Sequence, residues 1–157
     1  MIYLRFIADG GFISRVIGLR TDGKPSHVEY LRTDDAGNPI STFGSRSDGV
    51  KHRPYDYCKP SWEEWYTFPG IEASYARALL MDGNKYDWSD IFVLWTGWNS
   101  AQYDPAREIC SVLVGYSNRE AWAHDEAPVL INPSIATKDI TPELLYGAVT
   151  NMIKKVK

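Results

Sequence analysis

Cys110 and His27 are the two side chains whose types and settings could together make a nucleophile. Cys110 lies in Arg107-Glu108-Ile109-Cys110-Ser111-Val112-Leu113-Val114, which reads as the first turns of a helix. His27 lies far upstream, in Ser26-His27-Val28-Glu29-Tyr30-Leu31, which reads as a strand. A helix N-terminus favours thiolate over thiol, and an imidazole facing it can take or return the proton. Asp104-Pro105 marks the expected helix start, so Pro105 and Arg107 set the sulfur within about two turns of it. Glu108 opposes the anion if its carboxylate points the same way. The competing reading of Cys110 is a small buried apolar residue, since free cysteine is among the most buried types.

Strand periodicity puts His27, Glu29 and Leu31 on one face and Val28 and Tyr30 on the other. Glu29 is therefore a same-face neighbour that could hold the His27 ring, or else a solvated strand carboxylate. Side chains two apart on a strand diverge, with Cα atoms nearly 7 Å apart, which counts against contact. Symmetric pairing of the expected hairpin about Ala36 sets Ser45 opposite His27, as the other candidate to orient the ring. His52, between Lys51 and Arg53, and His124, in a polar loop, are rival bases with poorer settings. Cys58, in Tyr57-Cys58-Lys59-Pro60, has no helix start beside it. Ser45, Arg46 and Trp95 are the candidate substrate-binding residues: Arg46 could anchor a substrate carboxylate, and Trp95, in Trp95-Thr96-Gly97-Trp98, could wall a substrate groove. Solvated arginine and core tryptophan are the competing readings.

The elements that must position these residues follow from pattern. Residues 2–7 read as a strand, and Gly10-Gly11 opens a short helix with apolar positions 12, 13, 16 and 17. Residues 26–33 and 39–45 read as a hairpin around the loop 34–38, and 50–53 as a third strand ended by Pro54. Residues 62–68 suit a further strand, and 72–81 a helix stopped near Gly83. Asp87 suits the N-cap of a helix over 88–95. A helix is expected from Asp104-Pro105 through Cys110 to about Asn118, then a loop-rich stretch over 124–140. A last helix starts at Thr141-Pro142-Glu143, with the basic tail 154–157 at its C-terminus. Hairpins first and helices second make the fold class α+β.

Bulk properties bound the rest. At 157 residues, without repeats or a linker, the chain is expected to form one domain spanning 1–157. A net charge of −3 gives no basic field for nucleic acid. Two cysteines make neither a disulfide scaffold for this size nor a four-thiolate zinc site. A metal site built from His27, Glu29 and Cys110 is disfavoured because no close-spaced ligand pair exists. No stretch approaches the roughly 18 apolar residues of a membrane helix. The start, Met1 to Ile7, lacks a charged n-region and is broken by Arg5 and Asp9, so a cytoplasmic location is expected.

Taken in order, these segments resemble the permuted NlpC-type papain-like superfamily, with YiiX-like proteins and lecithin retinol acyltransferase among its relatives. The residues that carry the likeness are Ser26-His27-Val28-Glu29, Thr42-Phe43-Gly44-Ser45-Arg46 and Gly49-Val50-Lys51-His52-Arg53-Pro54. Tyr86-Asp87-Trp88 and Ile109-Cys110-Ser111-Val112-Leu113-Val114 follow. The match spans roughly residues 1–150 and is most similar to small bacteriophage and prophage members. In papain-type enzymes the cysteine comes first, whereas here the histidine does, as a permuted order requires.

The resemblance implies a small antiparallel sheet packed on helices and a cofactor-free cysteine hydrolase or acyl-transfer fold. Cys110 takes the family nucleophile position and His27 the base. A polar third residue is expected on the strand after the histidine. The implied substrate is peptide-like or lipid-like, with cell-wall peptides favoured by a phage context, where a virion-associated location is also open. The alternative is a non-catalytic phage structural or assembly module that binds a peptide or lipid in the same cleft.

Overall fold

The computed structural model describes residues 1–8, 25–87, 107–108, 110–127, 130, 132, 134 and 140–152. Five strands form one antiparallel sheet: β1 (Ile2–Ala8), β2 (His27–Thr33), β3 (Pro39–Arg46), β4 (Gly49–Pro54) and β5 (Trp62–Tyr66). Their spatial order is β4-β3-β2-β1-β5, which makes β2 the middle strand. A 3-10 turn, Tyr55–Tyr57, follows β4. Helix α1 (Ile71–Leu79) comes next, then a two-stranded parallel pair, β6 (Lys85–Tyr86) with β7 (Arg107–Glu108). Helices α2 (Cys110–Ala123) and α3 (Pro142–Met152) complete the described elements. The class is α+β, as expected from the sequence.

Alternation along the strands creates two unequal faces. Leu4, Phe6, Val28, Tyr30, Phe43, Val50 and Tyr66 join the main core with Ile71 of α1, Leu113 and Val114 of α2, and Leu145 of α3. Tyr3, Leu31 and Trp65 make a smaller cluster, with Tyr55 packed against it. Helix α2 is buried nearly all round in its first half, which is the mark of a helix inside the molecule rather than on it. The Tyr30 hydroxyl ties the layers together, 2.6 Å from Ser74 of α1 and 2.6 Å from Ser117 of α2. Thr141 caps α3 as its sequence suggests, its hydroxyl accepting from the Leu144 N–H at 3.1 Å.

Two sequence expectations are corrected. The first concerns the helix before Cys110. Arg107 and Glu108 are not helical; they pair with Lys85 and Tyr86, respectively. Backbone pairing with β6 overrides the local helix signal, so α2 begins at Cys110 itself and extends past Asn118 to Ala123. The second concerns the hairpin register. Tyr30 faces Phe43, Leu31 faces Thr42 and Arg32 faces Ser41, but Thr33 faces Pro39. The irregularity between Arg32 and Thr33 gives β3 one extra residue. Continued toward the strand start, this register sets Arg46, not Ser45, opposite His27. A one-residue slip moves a side chain to the other face of the sheet, so Ser45 does not share the His27 face. The helix read over residues 12–19, the helix over 88–95 and the basic tail lie outside the described residues.

Candidate functional site

Cys110 is the first residue of α2, and His27 is the first of β2. The structure sets the thiol and the imidazole side by side, each acting on the other's protonation. The Val28 backbone N–H also favours the charged form of the sulfur. Both side chains are nearly enclosed, Cys110 at 3% exposure and His27 at 6%. Burial pushes the Cys110 thiol up, but the His27 imidazole, the Val28 amide and the Arg46 guanidinium outweigh it, and the thiol lies below its ordinary range. Burial and Arg46 push the imidazole down, while Cys110 and Glu29 push it up more strongly, so His27 lies above its ordinary range. The two shifts together favour a thiolate–imidazolium pair.

Glu29 meets the ring from the same strand. His27 Nε2 lies 3.3 Å from Glu29 Oε2, despite the divergence expected of residues two apart. Glu29 is fully buried, so the solvated-carboxylate reading does not hold. Three donors surround it. Arg5 Nη1 gives 2.9 Å to Oε1, and the Tyr57 hydroxyl gives 2.7 Å to the same Oε2 that faces His27. Burial pushes the Glu29 carboxyl up, but His27, Arg46 and Tyr57 hold it down at about 2. Arg5 is itself shared, with Nη2 at 2.7 Å from Glu63 on β5. A buried charge is tolerable when paired and fully hydrogen-bonded, which this arrangement provides.

Gly44 gives Glu29 its place. A Cβ on Gly44 would stand 2.8 Å from the Glu29 Cβ and 3.5 Å from its Cα. Arg46 lies over the Tyr57 ring, 4.7 Å from its centroid, and its Nη2 is 3.8 Å from Cys58 Sγ. Tyr57 thus touches two members of the cluster, Glu29 through its hydroxyl and Arg46 through its ring face. Tyr86 of β6 is the other buried neighbour of Cys110; burial and the sulfur push its phenol up.

Ser45 is buried but takes no place opposite His27. Trp95 lies outside the described residues. His52 is exposed on β4 with its ring 4.9 Å from that of Phe43, and His124 is exposed beyond the end of α2. Among the described residues, no group of three His, Cys, Asp or Glu side chains is arranged to hold a metal ion. No described helix is long and apolar enough to cross a membrane.

Sequence reasoning missed Arg5, Tyr57 and Tyr86. Arg5 carries a usable signal, because a cation inside the apolar run Tyr3-Leu4-Arg5-Phe6-Ile7 must find a partner if the strand is central. Tyr57 carries none, since tertiary contacts alone bring it in, and Tyr86 carries only its place in the Tyr86-Asp87-Trp88 stretch, which gives no sign of a site role. No family model matches the sequence, and no curated protein matches it.

Proposed function

We propose that the protein is a thiol-dependent hydrolase, an amidase, peptidase or esterase of the permuted NlpC-type papain-like kind. The observation that carries this reading is the buried trio Cys110, His27 and Glu29, in which thiol and imidazole act on each other's protonation and His27 Nε2 lies 3.3 Å from the Glu29 carboxylate. Its polarity suits nucleophilic catalysis, with a thiol below its ordinary range, an imidazole above it and a carboxylate held ionised. The order of histidine strand before cysteine helix, and the antiparallel sheet under that helix, support the family resemblance.

In the reaction, Cys110 Sγ attacks the substrate carbonyl carbon. The Cys110 N–H, at the first position of α2 and without an intrahelical acceptor, donates to the developing oxyanion. The tetrahedral intermediate collapses, the bond to the leaving group breaks, and His27 gives its proton to that group. Water then attacks the thioester, His27 takes a water proton, and the acid leaves with Cys110 restored. Glu29 fixes the ring and stabilises the imidazolium; Arg46 is the side chain on hand for a negatively charged substrate.

Iodoacetamide labelling of the intact protein tests the reading. At about pH 6 an ordinary thiol is almost wholly protonated, so Cys110 should label at least about tenfold faster than Cys58. His27→Ala should remove that advantage. A panel of peptide and ester substrates should yield an acyl adduct on Cys110 by mass spectrometry, lost in Cys110→Ser. Equal labelling of the two cysteines, with no adduct on Cys110, overturns the proposal and leaves a binding module.

A further inference from the structure

The turn from β3 to β4 and the segment 83–86 line an open cavity of about 480 Å3. Its walls are fastened by backbone bonds, Val50 N–H to the Asn84 carbonyl and Gly83 N–H to the Val50 carbonyl, both 2.9 Å. Gly49, at φ +97°, is what lets the two walls meet, because a Cβ there would lie 2.8 Å from the Asn84 oxygen. Tyr86 lines the cavity and is paired with Glu108, two residues before Cys110. Tyr86 is also acted on by the Cys110 sulfur, so the lining reaches the neighbourhood of the nucleophile.

Its charge is lopsided. Asp48 on the lining is committed to Lys51, at 2.8 Å, and to Arg53. Lys85 on the lining is exposed and makes no ion pair with any described residue. Counting the immediate neighbours in sequence and pairing, Arg46, Lys51, Arg53, Lys85 and Arg107 stand against Asp48, Asp82, Asp87 and Glu108. That is a local excess of cations in a chain whose net charge is −3.

We propose that this cavity receives a carboxylate of the substrate, so that the acyl compound attacked by Cys110 carries a negative charge near its scissile bond. A single charge is the right match, because the Lys85 ammonium has no ion-pair partner among the described residues while the Asp48 carboxylate is already neutralised. The assignment of a substrate end rests on the hydrolase reading; the anion site rests on the cavity alone.

Two measurements on the full chain separate them. In the first, hippurate and its neutral amide, hippuramide, are titrated while the backbone amide signals of residues 83–86 are followed by NMR. Hippurate should shift these signals and hippuramide should not, and about 1 M salt, where the screening length is about 3 Å, should weaken the effect. In the second, Cys110 is labelled with anionic iodoacetate and neutral iodoacetamide. Their rate ratio at Cys110 should exceed that for a free thiol, and Lys85→Glu should lower it by about threefold. Hippurate-selective shifts with an inert Cys110 would sink the hydrolase reading and keep the anion site. Equal response of the cavity to both compounds, or none, overturns the inference whatever Cys110 does.

Discussion

Tyr57 is where the site is most sensitive at the scale of single residues. Its hydroxyl and the His27 ring share one Glu29 oxygen, at 2.7 and 3.3 Å, while its ring face carries the Arg46 guanidinium. Tyr57→Phe removes one donor from a buried carboxylate and leaves the ring. The Glu29 carboxyl should then rise, because its charged form loses a hydrogen bond. The acid limb of the Cys110 labelling profile should move to higher pH, with a stability loss of about 1.5–3 kcal/mol for a bond to a charged group. Tyr57→Leu, which also removes the ring beneath Arg46, should slow labelling further. Rate against pH for wild type and both variants checks this; superimposable profiles would show that Tyr57 does not act on the site.

At the scale of elements, β2 and β3 must approach closely enough for Glu29 to lie against Gly44. Gly44→Ala drives a methyl to 2.8 Å from the Glu29 Cβ, so either the side chain or the strand must shift. The expected cost is about 1–3 kcal/mol, by analogy with overpacked cores. Labelling of Cys110 should slow in parallel, because the shift falls on the residue that holds His27. Gly147→Ala in α3 is the matched control. Its Cβ would meet nothing within 4 Å, and it should stabilise the helix by up to about 1 kcal/mol. Thermal melts and labelling rates of both variants make the comparison. A Gly44→Ala protein as stable and reactive as wild type would mean the strands have slack here.

For the whole molecule, the buried cluster links stability to pH. The unfolded Glu29 carboxyl titrates near its ordinary value of 4.5, and the folded one at about 2. A depressed carboxyl stabilises the fold above the unfolded value, and that stability is lost as pH falls toward the folded value. The difference corresponds to about 3 kcal/mol, lost progressively as pH falls from about 4.5 to about 2. Denaturant unfolding across this range should show a steep fall in stability that Glu29→Gln flattens. Identical slopes in the two proteins would place the acid sensitivity elsewhere. Lost pairing should also strand Arg5, 1% exposed between Glu29 and Glu63, so the variant should be less stable at neutral pH as well.

The sequence by itself determined the elements whose signals are local. Alternation marked β1 to β5, Thr141-Pro142 marked the start of α3, and an isolated cysteine and a strand-start histidine marked the candidate pair. It could not decide what depends on pairing between distant segments. The helix start moved to Cys110 because Arg107 and Glu108 found partners in β6, a segment too distant in sequence for any local signal at Pro105 to reveal. The hairpin register slipped by one because β3 holds an extra residue, and loop length alone cannot reveal a bulge. Glu29 prevailed over Ser45 as neighbour of His27 for the same reason, and because the middle strand left its carboxylate no solvent to face. Arg5, Tyr57 and Gly44 are the support that burial then required. A carboxylate in the interior stays ionised only when donors from other elements reach it, and which residues those are is decided by the packed structure.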